Sequence, residues 1–122
     1  MSVTSRPREF DRFLGELWTL VQSLPEYRGT TTFLITVDHG RGPGPVAWKN
    51  HGKEIAESAY TWFGVIGPDT APLGERSNTP LVVQAQVAAT VAVFVGEDFH
   101  AAIPNSAPPV AGLVGGAVAG DQ

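Results

Sequence analysis

An Asp-His-Gly triplet at residues 38–40 is the first place in the sequence where side chains suited to catalysis or metal binding stand together. It follows directly on the apolar, β-branched run 30–37, and ligands of open α/β sheets sit at the carboxyl ends of strands. Asp38 and His39 would point to opposite faces of an extended chain, but Gly40 relaxes the backbone so that the two side chains can converge. One carboxylate oxygen and one imidazole nitrogen together suit a zinc-like ion.

A second histidine follows after a loop rich in glycine and proline. His51 lies twelve residues beyond His39, and the loop DHGRGPGP over 38–45 can bring it back toward the triplet. We therefore take Asp38, His39 and His51 as candidate metal ligands. The same residue types are also compatible with a turn in which they have structural roles, so the pattern by itself leaves both interpretations open.

Hydrophobic periodicity predicts helices and strands around these residues. Apolar residues recur at helical spacing in the first segment, which Pro25 ends, and two short runs rich in β-branched and aromatic residues suit buried strands. The predicted elements are a helix over 7–24, strands over 30–37 and 59–66, a short strand over 81–83 and a helix over 84–95. This order predicts an α/β architecture in which a mostly parallel sheet carries flanking helices.

The composition limits the classes of function. Asp and Glu total 12 against 8 Lys and Arg, and no basic run is present, which argues against nucleic acid as a partner. Cysteine is absent, so the chain has no disulfide and no thiolate metal site. Charged residues make up only 16% of the chain, while glycine and proline number 14 and 10. A complete domain of this size would ordinarily carry more charge at its surface.

The sequence carries no signal for export or for membrane insertion. Residues 1–8 lack the apolar stretch and cleavage site of a signal peptide, and no run reaches the ~20 apolar residues of a membrane span. We therefore expect a soluble chain and leave its compartment open. Residues 104–122 are rich in Gly, Pro and Ala, with Asp121 as their only charged side chain, and we expect a disordered tail there.

Several stretches, taken in order, resemble the C-terminal part of the alkaline phosphatase superfamily. They are LITVDHGRG, WKNHG and AYTWFGVIGPDT, followed by PLVVQAQVAATVAVFVGEDF. The last stretch looks like the helix near the end of such domains, where a threonine such as Thr90 and a glycine such as Gly96 recur. The resemblance covers residues 11–103. The superfamily takes in phosphatases, nucleotide pyrophosphatase/phosphodiesterases, sulfatases and cofactor-independent phosphoglycerate mutases.

The resemblance implies a two-metal site at the carboxyl edge of a central sheet. Asp38 and His39 match the Asp-His pair that ligates one ion in that superfamily, and His51 matches a histidine that helps to hold the other. The implied cofactors are two divalent ions, expected to be zinc, and the implied substrate is a small-molecule phosphate or sulfate ester. Paired metals suit this chemistry because they neutralise a phosphoryl or sulfuryl oxyanion and activate a hydroxyl nucleophile.

The resemblance also implies that part of the domain is missing from this chain. The superfamily supplies a Ser or Thr nucleophile and further Asp and His ligands ahead of the Asp-His-Gly triplet, whereas residues 1–37 read as one helix, a turn and one strand. Residues 1–103 therefore correspond to the C-terminal portion of a truncated domain that lacks its nucleophile. We expect this chain to be inactive alone, with its apolar surfaces covered by a missing N-terminal portion or by self-association.

Two other interpretations stay open. One is a non-catalytic small α/β binding module, and the other is a small α/β domain in which the Asp-His-Gly triplet is a turn. Three further polar residues are weaker candidates for a site. Arg41 and Lys53 are expected to be solvated loop charges, and His100 is expected to be a surface histidine. The substrate-binding residues stay unassigned.

Overall fold

A computed structural model of the protein describes residues 5–114. The described residues divide into two units, the first ending at residue 31 and the second beginning at residue 32. The first unit contains helix α1 (Ser5–Ser23). The second unit contains, in chain order, β1 (Phe33–Thr36), α2 (Gly44–Ala47), a 3₁₀ turn (Ala56–Ala59), β2 (Phe63–Ile66), a second 3₁₀ turn (Gln84–Gln86), α3 (Val87–Phe94) and α4 (Phe99–Ala102).

Helix α1 follows the apolar spacing of its sequence. It begins two residues before the predicted range 7–24 and ends one residue before its end. The turn that follows satisfies the last carbonyls of the helix: Arg28 Nε donates to the Gln22 carbonyl at 2.8 Å, and the Arg28 amide donates to the Leu24 carbonyl at 2.9 Å. Gly29 has φ +69°, a left-handed conformation that glycine adopts at little cost, so it suits the end of this turn.

The two longer predicted strands both form, as the short sheet β1–β2. The strands pair antiparallel, with Phe33 opposite Ile66 and Thr36 opposite Phe63. Thr36 Oγ1 also donates to the Trp62 carbonyl at 2.8 Å, which ties the end of β1 to the residue before β2. The β1 side chains are all half-buried.

The connection between the two strands contains no long crossover helix. A parallel pair needs a crossover, which is usually an α-helix. Here α2 and the first 3₁₀ turn are each four residues long, and the chain returns antiparallel to β1. The predicted parallel sheet with flanking helices involves more strands than the described residues contain, and it stays a prediction.

The predicted C-terminal helix forms as the second 3₁₀ turn continued by α3. Ala89 and Thr90 expose 2% and 1% of their surface, and with Gly42 they are the buried residues of the part of the chain whose burial is described. Thr90 Oγ1 donates to the Gln86 carbonyl at 2.7 Å, so the buried hydroxyl has a partner. Residues 81–83, predicted as a short strand, pair with no strand among residues 5–114.

Part of the predicted tail, 104–122, has a defined path beside α3. The Val110 amide donates to Thr90 Oγ1 at 2.9 Å, and a glutamine side chain of the second 3₁₀ turn donates to the Pro108 carbonyl at 3.2 Å. These two hydrogen bonds hold the start of the tail against α3 and the 3₁₀ turn before it. The rest of the tail, from residue 115 onward, lies outside the described residues.

Candidate metal centre

Asp38 and His39 lie at the carboxyl end of β1, with Val37 between them and the strand. The Asp38 carboxylate turns back on the chain: Oδ1 accepts the His39 amide at 2.9 Å, and Oδ2 lies 3.3 Å from His39 Nε2. The Asp38 side chain is 82% exposed and that of His39 is 27% exposed. The two neighbouring side chains therefore converge at the strand end, with the carboxylate on the solvent side.

The two ring nitrogens of His39 face different partners. Nδ1 lies 2.8 Å from the Gly40 carbonyl oxygen. A carbonyl can only accept a hydrogen bond, so Nδ1 carries the hydrogen. In the neutral ring Nε2 then presents a lone pair toward Asp38 Oδ2, which is also an acceptor. Two facing acceptors are favourable when a cation lies between them, either a proton or a metal ion.

His51 comes back onto the triplet. Its imidazole stacks on that of His39, with the ring centroids 3.9 Å apart and the ring planes inclined by 24°. His51 is an exposed residue, whereas His39 is half-buried. The structure thus places His39 beside each of the other two candidate ligands, Asp38 and His51.

Two long-range backbone hydrogen bonds fold the loop that carries both histidines. The Gly40 amide donates to the Ser58 carbonyl at 2.8 Å, and the Gly42 amide donates to the Asn50 carbonyl at 3.1 Å. Because Asn50 directly precedes His51, the second bond closes the loop beside that histidine. Backbone pairing therefore brings the two histidine-bearing stretches together.

Two glycines of this loop lie where no side chain fits. A Cβ added to Gly40 would lie 2.6 Å from the Tyr60 carbonyl oxygen and closer still to that of Glu57. A Cβ added to Gly42 would lie 2.6 Å from the Ala47 carbonyl oxygen. These neighbours are backbone atoms, which cannot swing aside as a flexible side chain can. The glycine of the Asp-His-Gly triplet is therefore needed for a close approach of two backbone segments.

The separation of Asp38 Oδ2 from His39 Nε2, 3.3 Å, suits two ligands of one tetrahedral zinc ion. With Zn–N and Zn–O bonds of about 2.0–2.2 Å, the edge of such a tetrahedron is about 3.3–3.5 Å. The His51 ring is nearly parallel to that of His39, and parallel rings do not direct their in-plane lone pairs at one point. Within residues 5–114, no group of three or more His, Cys, Asp or Glu side chains is arranged to hold one ion.

The weaker candidates lie on the loop surface or near α4. Arg41 and Lys53 are exposed, and the Arg41 guanidinium lies 3.5 Å from the Trp48 carbonyl oxygen. His100, expected at the surface, is half-buried in α4, and its Nδ1 lies 3.3 Å from Ser106 Oγ. The burial of His100 has a local cause, because the turn that ends α4 folds Ser106 back onto the imidazole.

Ser58 is a residue of this loop that sequence reasoning missed. Its carbonyl accepts the Gly40 amide, and its hydroxyl contacts the Gly52 amide and carbonyl at 3.2 and 2.7 Å. It thus touches the chain neighbours of both histidines. A single serine in a segment without hydrophobic period gives no signal of such contacts, since they form only when the loop closes.

Comparisons with known proteins found no relative of this chain. No protein-family model, no curated protein and no solved structure matches the chain significantly. The resemblance to the alkaline phosphatase superfamily therefore rests on its motifs alone. Among the helices of residues 5–114, none has the length and apolar character needed to cross a bilayer.

Proposed function

We propose that this chain is the C-terminal portion of a two-metal hydrolase that cleaves phosphate or sulfate esters, and that it is inactive without the rest of that domain. The convergence of Asp38, His39 and His51 carries the proposal. Asp38 Oδ2 faces His39 Nε2 at 3.3 Å, and the His51 ring stacks on the His39 ring at 3.9 Å. The superfamily resemblance implies that one ion has two of these ligands, Asp38 and His39, and that the other ion has one, His51.

Ring geometry supports two ions instead of one. The His39 and His51 rings are nearly parallel, with centroids 3.9 Å apart, so their in-plane lone pairs do not point at a single ion. Nearly parallel imidazoles at this spacing favour one ion for each ring. Asp38 then shares the ion of His39 because its Oδ2 faces that ring.

Contacts within the loop prepare His39 and Asp38 for this role. The bond from His39 Nδ1 to the Gly40 carbonyl sets the tautomer and the ring orientation, and such a partner is typical of a metal-ligating histidine. The bond from the His39 amide to Asp38 Oδ1 holds the carboxylate and leaves Oδ2 for the ion. When bound, the ions would stabilise the charge of the ester oxyanion and activate a hydroxyl nucleophile.

Exposed apolar side chains support the view that further elements complete this domain. Val46, Leu81 and Val95 in the second unit are 77%, 85% and 71% exposed. Elements that covered these side chains would stabilise the unit, because apolar surface would be removed from water. An N-terminal portion that covers these residues would also supply the nucleophile and the remaining ligands.

Zinc titration of the full chain by isothermal calorimetry tests the metal role. Wild type is expected to bind zinc, and His39→Ala is expected to bind it at least about 10-fold more weakly, since one of two facing ligands is removed. His100→Ala is the matched control, because it removes a half-buried histidine outside the stack and should leave zinc affinity unchanged. Equal affinity of wild type and His39→Ala, or an equal loss in His100→Ala, would overturn the metal role.

The coding sequence upstream of Met1 tests the truncated domain. We expect a reading frame that encodes a Ser or Thr nucleophile with additional Asp and His ligands. The joined protein should hydrolyse p-nitrophenyl phosphate or p-nitrophenyl sulfate, whereas the 122-residue chain should not. An upstream sequence without such a frame contradicts this part of the proposal.

The alternative of a non-catalytic α/β binding module makes a different prediction. It is favoured by the absence, within residues 5–114, of a three-ligand group for one ion. A self-sufficient module should unfold in one cooperative calorimetric transition. A fragment with uncovered apolar surfaces should instead self-associate, and its Tm should rise when the N-terminal portion is added.

A further inference from the structure

Ser58 joins the two stretches of chain that carry the stacked histidines. Its backbone carbonyl accepts the Gly40 amide at 2.8 Å, next to His39. Its hydroxyl accepts the Gly52 amide at 3.2 Å and lies 2.7 Å from the Gly52 carbonyl oxygen, next to His51. One residue therefore contacts the chain neighbours of both rings.

The hydroxyl of Ser58 also closes a turn over residues 52–58. It contacts the Ile55 carbonyl oxygen, and that same carbonyl accepts the Ser58 amide at 3.0 Å. The Ile55 amide donates to the Gly52 carbonyl at 3.1 Å. Gly52 has φ +145°, a conformation that other residues rarely adopt, so the turn begins from a glycine-specific backbone. The serine hydroxyl lies at the centre of this turn.

We propose that Ser58 is a positioning residue of the histidine pair, whose hydroxyl holds His51 in its stack on His39. His51 is exposed, and its backbone is held on one side by the bond from the Gly42 amide to the Asn50 carbonyl and on the other by the bond from the Gly52 amide to the Ser58 hydroxyl. Without the hydroxyl, water can bond to the Gly52 amide and carbonyl, and the stretch around His51 gains freedom to move. The stack is a property of the chain itself, while its consequence for metal binding rests on the proposed function.

Ser58→Ala isolates the hydroxyl from the rest of the residue. The carbonyl that accepts the Gly40 amide belongs to the backbone and is kept in this variant. His39 should therefore stay anchored, while His51 is released. A general loss of loop structure would instead affect both histidines.

Proton NMR of the metal-free protein tests this asymmetry. A nuclear Overhauser effect between the ring protons of His39 and His51 reports the stack at 3.9 Å. It should be present in wild type, lost in Ser58→Ala and kept in Ser58→Thr, which retains the hydroxyl. Cross-strand effects between Ile35 and Gly64, which are paired in the sheet, should persist in all three proteins and show that the fold is intact.

Ser106→Ala is the matched control. Ser106 Oγ lies 3.3 Å from His100 Nδ1 and donates to the Ile103 carbonyl at 2.7 Å, so this variant also removes a hydroxyl between a histidine and a carbonyl. It should shift the ring resonances of His100. The effect between the His39 and His51 rings should be unchanged.

The proposal is overturned if the stack persists in Ser58→Ala. It is also overturned if the stack is lost in Ser106→Ala or in Ser58→Thr. Zinc titration separates this inference from the proposed function. If wild type binds zinc, Ser58→Ala should bind it more weakly by up to about 10-fold, and less weakly than His39→Ala does, because His51 is freed but not removed. If wild type binds no zinc and Ser58→Ala still loses the stack, the metal role fails and the positioning role stands.

Discussion

Two parts of the second unit, the histidine loop (residues 38–58) and the C-terminal segment (residues 84–110), each contain a hydroxyl that bonds to backbone groups. In the C-terminal segment it belongs to Thr90, which is 1% exposed and bonds to one carbonyl and one amide. In the histidine loop it belongs to Ser58, which is half-buried and bonds to the turn that carries His51. The two hydroxyls make similar bonds at different depths.

Burial decides what the loss of such a bond changes. A buried polar group that loses its partner carries the full cost of desolvation, so the free energy of unfolding falls. Near the surface, water replaces the lost partner, and the loss shows in the position of the freed segment. We therefore expect variants of the C-terminal segment to change stability and variants of Ser58 to change geometry. The exceptions in the histidine loop are Gly40 and Gly42, each of which lies against another backbone segment.

Gly40→Ala is expected to have the largest effect on stability. The new Cβ would lie 2.6 Å from the Tyr60 carbonyl oxygen, and the backbone must shift to admit it. We expect the free energy of unfolding in urea to fall by about 3 kcal/mol or more, together with loss of the histidine stack. Gly44→Ala is the control in the same loop: it has φ +75° and open space for a Cβ, and strain alone should cost about 1 kcal/mol. Equal effects of the two variants would contradict the close-approach argument.

Thr90→Val tests what the loss of the buried hydroxyl does to stability. It keeps the shape of the side chain but leaves the Val110 amide without its acceptor. The free energy of unfolding should fall by about 1–3 kcal/mol, while the His39–His51 effect in NMR is unchanged. Thr90→Ser, which keeps the hydroxyl, should lose less. A Thr90→Val variant as stable as wild type would show that burial does not separate the two regions.

Asp98→Ala should have a smaller effect within the C-terminal segment. Asp98 Oδ1 accepts the Ala101 amide at 2.8 Å and caps α4. Although Asp98 is exposed, its carboxylate fixes the first turn of α4, so its removal should lower the free energy of unfolding by about 0.5–1 kcal/mol. Asp98→Asn keeps a capping acceptor and should be close to wild type. A loss in Asp98→Asn as large as in Asp98→Ala would assign the effect to charge and not to the cap.

Arg41→Ala should have the smallest effect, and it tests whether a surface charge of the histidine loop helps to position His51. Its guanidinium is exposed and lies 3.5 Å from the Trp48 carbonyl oxygen, at the limit of a hydrogen bond. We expect the free energy of unfolding to change by no more than about 0.5 kcal/mol and the histidine stack to persist. Loss of the stack in this variant would mean that a surface charge, in addition to Ser58, positions His51.

The sequence was sufficient to predict the longest helix, the two strands and the three candidate metal ligands, but not α2, α4 or the role of Ser58. Apolar spacing predicted α1, and the β-branched runs contain β1 and β2, because these signals depend on neighbours a few residues apart. The convergence of Asp38 and His39 was also predictable, since adjacent residues need only a bend at Gly40. The return of His51 was indicated by the glycine and proline content of the loop between them.

Only the tertiary structure decided how these parts pair. The antiparallel direction of β1 and β2, the bond of Val110 to Thr90 and the contacts of Ser58 with Gly52 all depend on which distant backbone groups meet. Side-chain periodicity carries no record of such choices, because a backbone amide or carbonyl is the same in nearly every residue type. The sequence by itself therefore specified which residues could do chemistry, and the closure of the chain determined that two imidazoles lie 3.9 Å apart with one carboxylate beside them.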